Sequence, residues 1–266
     1  MRALSLLALL SLTASAAAAQ ASVFPARCPA ACPRDSGEVL RIDSMRVWAN
    51  LARGGATTYV DHVVRNATDG TLEGAFFFAL PPGATLTQVM VHDSGRVLAY
   101  DEWSAPAESR RMLVAALRGQ PRSRARAYDG MEIVHVRIAA IPPHGTRRVK
   151  IAYTQTLRPD GGAVTYRYPL HLAPAMPAGA LSLGAEVATP AGFVDFGSPS
   201  HAVDVRWGSE AARCPPRARC GWTGVASRRK RVVRLADGAD ARRRDFVLVY
   251  TPARAETDSV TVDPDG

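Results

Sequence analysis

Lysine is almost missing from this chain of 266 residues: Lys150 and Lys230 are the only two, so nearly all of the +9 formal charge is carried by arginine. Long apolar runs are missing too. Beyond the first residues no stretch approaches the roughly 20 apolar residues that a spanning helix needs, which excludes a transmembrane segment in the mature chain. Catalytic signatures are equally scarce. There is no His-Glu-x-x-His, no Gly-x-Ser-x-Gly and no glycine-rich phosphate loop, and the six histidines (His62, His92, His135, His144, His171 and His201) are scattered. Within strands, His62 and His135 read as structural or edge residues. The sequence is therefore read as a non-enzyme with no cofactor, no catalytic residue and no metal site. Its basic runs lack the interleaved aromatics on which bases stack, so nucleic acid is not an expected partner.

What is present begins with Met1-Arg2, one positive charge, followed by the apolar run ALSLLALLSL and a tract of Ala and Ser. This is the pattern of a signal peptide over residues 1–19, with Ala17-Ala18-Ala19 supplying small residues before a cleavage near Ala19. Ala14-Ser15-Ala16 offers a second possible cleavage site. The expected location is secreted or periplasmic. Such a compartment is oxidising, so the four cysteines, Cys28, Cys32, Cys214 and Cys220, are expected to form disulfides. Two local loops close most cheaply; crossed pairing and a four-cysteine zinc site remain the alternatives.

Residues 20–38, rich in Ala, Pro and Cys, read as a linker. From Val39 onward, short alternating runs broken by turn signals mark β-structure. In TTYVDHVVRN, Thr58, Val60, His62 and Val64 share one face and Tyr59, Asp61, Val63 and Arg65 the other. Phe76-Phe77-Phe78 in succession predicts a strand buried on both sides. Asp93-Ser94-Gly95 predicts a tight hairpin. One segment has helical spacing: Ser104 as N-cap, Pro106 and Glu108 in the opening turns, an apolar stripe of Met112, Leu113, Ala116 and Leu117, and a stop at Gly119. The expected fold is all-β and sandwich-like, with one α-helix in a main domain over 39–173. A second, smaller β-sandwich-like domain is expected over 178–252, then a disordered tail over 253–266.

The order of features between Val47 and Leu172 resembles the VIT (vault protein inter-alpha-trypsin) domain. A strand and an Asn-containing turn lead to an aromatic strand ending in Leu80-Pro81-Pro82-Gly83-Ala84. A hairpin follows around Asp93-Ser94-Gly95-Arg96, then a helix rich in Glu, Arg and Ala over Glu108 to Arg118. A strand pair with the turn Ile141-Pro142-Pro143-His144-Gly145 and the ending Tyr153-Thr154-Gln155 completes it. The strand from Arg244 to Tyr250 resembles the region that, in this family, leads into a von Willebrand A domain. That domain usually carries a cation site opening with Asp-x-Ser-x-Ser, a motif found nowhere in this sequence. The expectation is a family member lacking the A domain and its metal-dependent ligand capture.

The resemblance implies a protein-interaction or surface-assembly module with a protein partner. The arginines supply the alternative, a binder of envelope polyanions such as lipopolysaccharide or acidic polysaccharide. Three clusters would serve it, each expected in a loop or at a strand start: Arg122, Arg124 and Arg126; Arg228, Arg229, Lys230 and Arg231; Arg242, Arg243 and Arg244. The plainer reading of these clusters is a solvated surface, with the arginine bias set by the base composition of the genome.

Overall fold

The computed structural model describes residues 20–26, 39–118, 128–170, 176, 180–210, 225–236 and 244–253; of 208–210 and 225–228 the backbone course alone is described. The expected signal peptide, the four cysteines, Gly119, Arg122, Arg124, Arg126, Arg242, Arg243 and the chain from 254 onward lie outside the described residues.

The alternating runs build a large sheet. Its middle is β2 (Leu40–Ala52), β3 (Gly55–Asn66) and β8 (Thr146–Thr156), with β5 (Ala84–Asp93) and β6 (Arg96–Tyr100) on one side. Along β2, alternate residues Met45, Val47, Ala49 and Leu51 are buried while Arg46, Asn50 and Ala52 are exposed, the period of two expected of a strand covered on one side. A bulge between Ile42 and Ser44 resets that alternation, so that Ile42 and Met45 both face inward. Two-residue turns join the hairpins. Arg53 and Gly54 (φ 50° and 76°) connect β2 to β3, and Ser94 and Gly95 (φ 46° and 94°) connect β5 to β6, in the left-handed conformations that a type I′ turn requires.

A three-stranded sheet lies across this one: β1 (Ala21–Pro25), β4 (Leu72–Leu80) and β7 (Glu132–Ile141), with β4 in the centre. Strand geometry sends the three phenylalanines of β4 alternately to opposite sides, and both sides are covered. Phe76 and Phe78 point into the main core, where their rings lie 5.1 and 5.9 Å from that of His62. Phe77 points the other way, edge-on to Phe24 at 5.9 Å, in a cluster with Leu113 of helix α1 (Pro106–Ala116) and Leu117, its C-cap residue. The two-sided burial expected from three consecutive aromatics is realised by placing a second sheet on one face and the helix on the other.

The helix begins one residue later than its sequence signals indicate. Ala105 occupies the N-cap without a side-chain hydrogen bond, and Pro106 takes the first helical position, which its fixed φ and missing N–H suit. Ser104 does not cap. Its hydroxyl lies 2.9 Å from Nδ1 of His135, and its carbonyl accepts a hydrogen bond from the Ser109 hydroxyl at 3.0 Å, so the residue fastens the helix to β7 instead.

Two expected boundaries are corrected. Residues 21–25 are not linker: β1 pairs antiparallel with β4, and its Ala21, Val23 and Phe24 are buried. Five residues are too few for a periodic signal to stand out of an Ala- and Pro-rich stretch, and the edge position tolerates Pro25, which cannot donate to a neighbouring strand. Nor does the second block form a sheet of its own. β10 (Leu181–Ala188) runs parallel to β2 and extends the large sheet through β13 (Val225–Leu235) to β12 (Val203–Glu210), giving eight strands in the order β12-β13-β10-β2-β3-β8-β5-β6. The remaining sheet draws from both sides of the expected boundary near residue 173. It pairs β9 (Val164–Tyr168) with β14 (Phe246–Pro252), which in turn pairs with β11 (Phe193–Gly197). One hydrophobic core, from Ala21 to Tyr250, joins all three sheets. The molecule is all-β with a single helix among the described residues.

Two buried polar features hold this arrangement. The hydroxyls of Thr58 and Tyr166 are 2.9 Å apart, tying β3 to β9 across the core, and burial pushes the Tyr166 phenol well above its ordinary range. Asn66, fully buried at the end of β3, donates from Nδ2 to the carbonyls of Gly70, Ile141 and Pro142 and accepts at Oδ1 from the Thr68 amide and hydroxyl. One amide side chain thus satisfies backbone groups of two turns.

Candidate interaction surface

The residues that alternate with the core-facing set of the large sheet form its outer face, and strand register arranges them in cross-strand rows. One row runs Gly184, Trp48, Tyr59, Ala152 and Gln88 across β10, β2, β3, β8 and β5; the next runs Ser182, Arg46, Asp61, Lys150 and Met90. From Trp48 and Arg46 to Gln88 and Met90 these rows line a shallow groove of about 310 Å³, and Gly184 and Ser182 line a second hollow of about 480 Å³ between Trp48 and Arg234.

Trp48 organises this face. Its indole lies over Gly184 so closely that a Cβ built on that glycine would stand 2.6 Å from Cζ3 and 2.9 Å from Cε3 of the ring. Only a residue without a side chain lets the indole lie there. The Nε1 proton goes to Oδ1 of Asn50 at 2.9 Å, and the Arg234 guanidinium sits 5.9 Å from the ring centre. Tyr59, its direct partner on β3, is 43% exposed, and Tyr100 on the edge strand β6 is 55% exposed. The Tyr100 hydroxyl accepts from Nε2 of Gln88 at 3.1 Å. Aromatic side chains lie partly uncovered here on an otherwise polar, rigidly backed sheet.

Charge on the face is uneven. Asp61 is its acidic centre, and Arg148 grips it with both arms, Nη2 to Oδ2 at 2.6 Å and Nε to Oδ1 at 3.3 Å. Arg46 and Lys150, flanking Asp61 in the row, have no salt bridge among the described residues. The positive surroundings are felt by His92, the register partner of Arg148: burial, and then Lys150, lower its pKa, with Asp61 opposing and Arg148 reinforcing. Farther along β2 the sign balance differs. Burial pushes the Asp43 carboxyl up, but Arg41 and Arg65 outweigh it and hold it below the usual carboxylate range.

Of the residues singled out as anion-binding, the described ones do not share one face. The run at 228–231 lies inside β13, not in a loop or at a strand start, and strand alternation sends neighbours to opposite faces. Lys230 bonds Glu186 at 3.0 Å, while Arg231 turns to the other face and stacks 3.4 Å over the Trp207 ring and 5.0 Å from that of Phe193. Arg229 is exposed on β13; Arg228 is described in its backbone alone. Arg244 is exposed just ahead of β14. The sequence reading missed Trp48, Arg46, Lys150 and Arg234. The signal was there in the alternation of MRVWANL, which puts a tryptophan among polar positions.

His62 and His135 occupy structural positions. His62 is fully buried among Phe76 and Phe78. Burial drives its pKa down to about 3, and a weak approach to the Val149 backbone offsets only part of this. Burial also lowers the pKa of His135, against the pull of Glu108. Among the described residues no group of His, Cys, Asp or Glu is arranged to hold a metal ion, and no helix is long and apolar enough to cross a membrane.

Comparison with solved structures gives distant likenesses. A candidate nutrient binding protein from Legionella pneumophila subsp. pneumophila str. Philadelphia 1 aligns at 10% identity over 88% of this chain and 72% of its own, with a TM-score of 0.40. The Legionella pneumophila aminopeptidase A, solved with aspartic acid, aligns at 8% identity over 80% of this chain and 21% of its own, with a TM-score of 0.37. Scores at this level carry no argument. No curated protein matches the sequence. The family comparison is more specific: residues 42–153, which span β2 to β8 with the helix and the Trp48 and Tyr59 positions, match the vault protein inter-alpha-trypsin (VIT) domain.

Proposed function

We propose that the protein is an exported, non-catalytic protein-interaction module that contacts its partner through the outer face of the eight-stranded sheet. The VIT domain supports an interaction role. The observation that carries the choice of surface is the aromatic pair at its centre, Trp48 half-buried and seated over Gly184 and Tyr59 exposed beside it, on a sheet whose far side packs into the core. Tryptophan, tyrosine and arginine dominate the energetics of protein interfaces, since they bring large contact area with few rotatable bonds. A face backed by a rigid core loses little entropy on binding. Export rests on the N-terminal pattern Met1 to Ala19.

The test is affinity capture from envelope extract with the chain from Gln20 onward, run in parallel with a Trp48→Ala, Tyr59→Ala double variant and washed at low and then high salt. A defined protein retained by the parent chain and lost by the variant is the expected result. Equal capture by both would overturn the surface assignment. Retention of anionic polymer alone, shed completely by salt, would replace this reading with the polyanion one. That alternative draws less support from the described members of the 228–231 cluster, since Lys230 and Arg231 are engaged within the fold.

A further inference from the structure

We infer that the segment received by the Trp48–Tyr59 groove is an acidic stretch of protein chain, with carboxylates on either side of an apolar side chain. The inference rests on the interaction surface proposed above and names its ligand chemistry. The groove's single acid is already committed, because Arg148 occupies both oxygens of Asp61. Three cations then remain around the aromatic pair with no salt bridge among the described residues: Arg46 and Lys150 along one side, Arg234 on the other. A basic segment would meet uncompensated repulsion, and a purely apolar one would cover these charges without pairing them, a cost of several kcal/mol for each ion fully removed from water.

Spacing favours more than one carboxylate. Arg46 and Lys150 are separated by two strand intervals, about 10 Å, and Arg234 lies the same two intervals beyond Trp48 on the far side. No single carboxylate reaches all three. The indole between them takes an apolar side chain. Two of the neutral hydrogen-bonding groups are already used in part, since Gln88 donates to Tyr100 and Asn50 accepts from Trp48, which leaves the hydroxyls of Tyr59 and Ser182 to serve a bound chain beside the three cations. A neutral, hydroxyl-rich polysaccharide would leave the three cations without a counter-charge, whereas carboxylates and an apolar side chain match both the cations and the indole.

The experiment uses the full chain from Gln20 onward and measures, by fluorescence anisotropy at fixed low salt, binding of a labelled synthetic peptide in which Glu pairs flank single Leu and Phe residues. The same peptide with Lys in place of every Glu is the first comparison, and sodium polygalacturonate the second. The acidic peptide binds and the lysine peptide does not. Arg46→Glu with Lys150→Glu weakens binding by tenfold or more, while Arg244→Glu, an exposed cation elsewhere, leaves it unchanged. Thermal denaturation confirms that each variant is folded, and the Arg46→Gln, Lys150→Gln pair replaces the reversal should that unfold. Equal affinity for the acidic and lysine peptides, or indifference to the reversal, overturns the inference. Polygalacturonate bound through Trp48 while the peptide is not also overturns it, in favour of a glycan. If the acidic peptide fails but captured protein still depends on Trp48 and Tyr59, the ligand class is wrong and the interaction surface stands.

Discussion

Replacing Gly184 by alanine tests how the binding face is assembled. The added methyl would stand 2.6 and 2.9 Å from two carbons of the Trp48 ring and 3.0 Å from the Val233 carbonyl oxygen, so something must move. The Val233 oxygen is backbone within the β10–β13 ladder and yields little; the indole yields, losing its contact with β10 and its bond to Asn50. Overpacking of this kind costs about 1–3 kcal/mol. For a protein of this size that is a fall of about 2–4 °C in melting temperature per kcal/mol. Gly184→Ala and Trp48→Ala should be measured singly and together by urea denaturation. With Trp48 already truncated, the ring contacts are gone and only the Val233 contact opposes the methyl. Alanine then recovers part of the ~0.5–1 kcal/mol that glycine loses to chain entropy in a strand. The cost of Gly184→Ala should therefore shrink by at least 1 kcal/mol in the Trp48→Ala background, a coupling that a double-mutant cycle reads directly. Equal costs in both backgrounds would refute the claim that this glycine exists to seat the indole.

Three further outcomes are expected. Phe76→Ala, which empties a fully buried site against His62, should cost about 3–5 kcal/mol in denaturation while leaving groove binding intact in the folded fraction; a cost below 1 kcal/mol would contradict the packing. His62 should make stability acid-sensitive. Its folded pKa of about 3 lies below the unfolded 6.5, so the unfolded chain binds the extra proton, and stability is complete above pH 6.5 and falls by about 1.4 kcal/mol per unit as pH drops toward 3. A His62→Leu variant should lose that part of the slope, and an unchanged pH profile would exclude the mechanism. Asn66→Ala removes the amide that bridges the Gly70, Ile141 and Pro142 carbonyls, of which Gly70 keeps the Thr68 hydroxyl and Pro142 the Gly145 amide, and should cost about 1–3 kcal/mol; the native protein should also carry no glycan at Asn66, which intact-mass measurement checks.

Much of this protein was determined by local pattern in the sequence. Period-two alternation in TTYVDHVVRN made one face of β3 core and the other surface, and three consecutive phenylalanines required cover on both sides of β4, because strand geometry permits nothing else. Ser94-Gly95 had to be a tight turn, and the ordered motifs from Val47 to Leu172 pointed to the VIT domain that the family match places at 42–153. The tertiary structure decided what depends on distant partners. Whether β10 joined β2 or began a new sheet was settled by which strand edge lay free to receive it, and no local periodicity encodes that. The arginine run at 228–231 became part of a strand, with Lys230 and Arg231 turned to opposite faces. The groove itself exists because a tryptophan and a tyrosine of the β2–β3 hairpin meet a glycine from β10 and a lysine from β8, strands that lie far from the hairpin in the chain. Only their register could put them in adjacent rows.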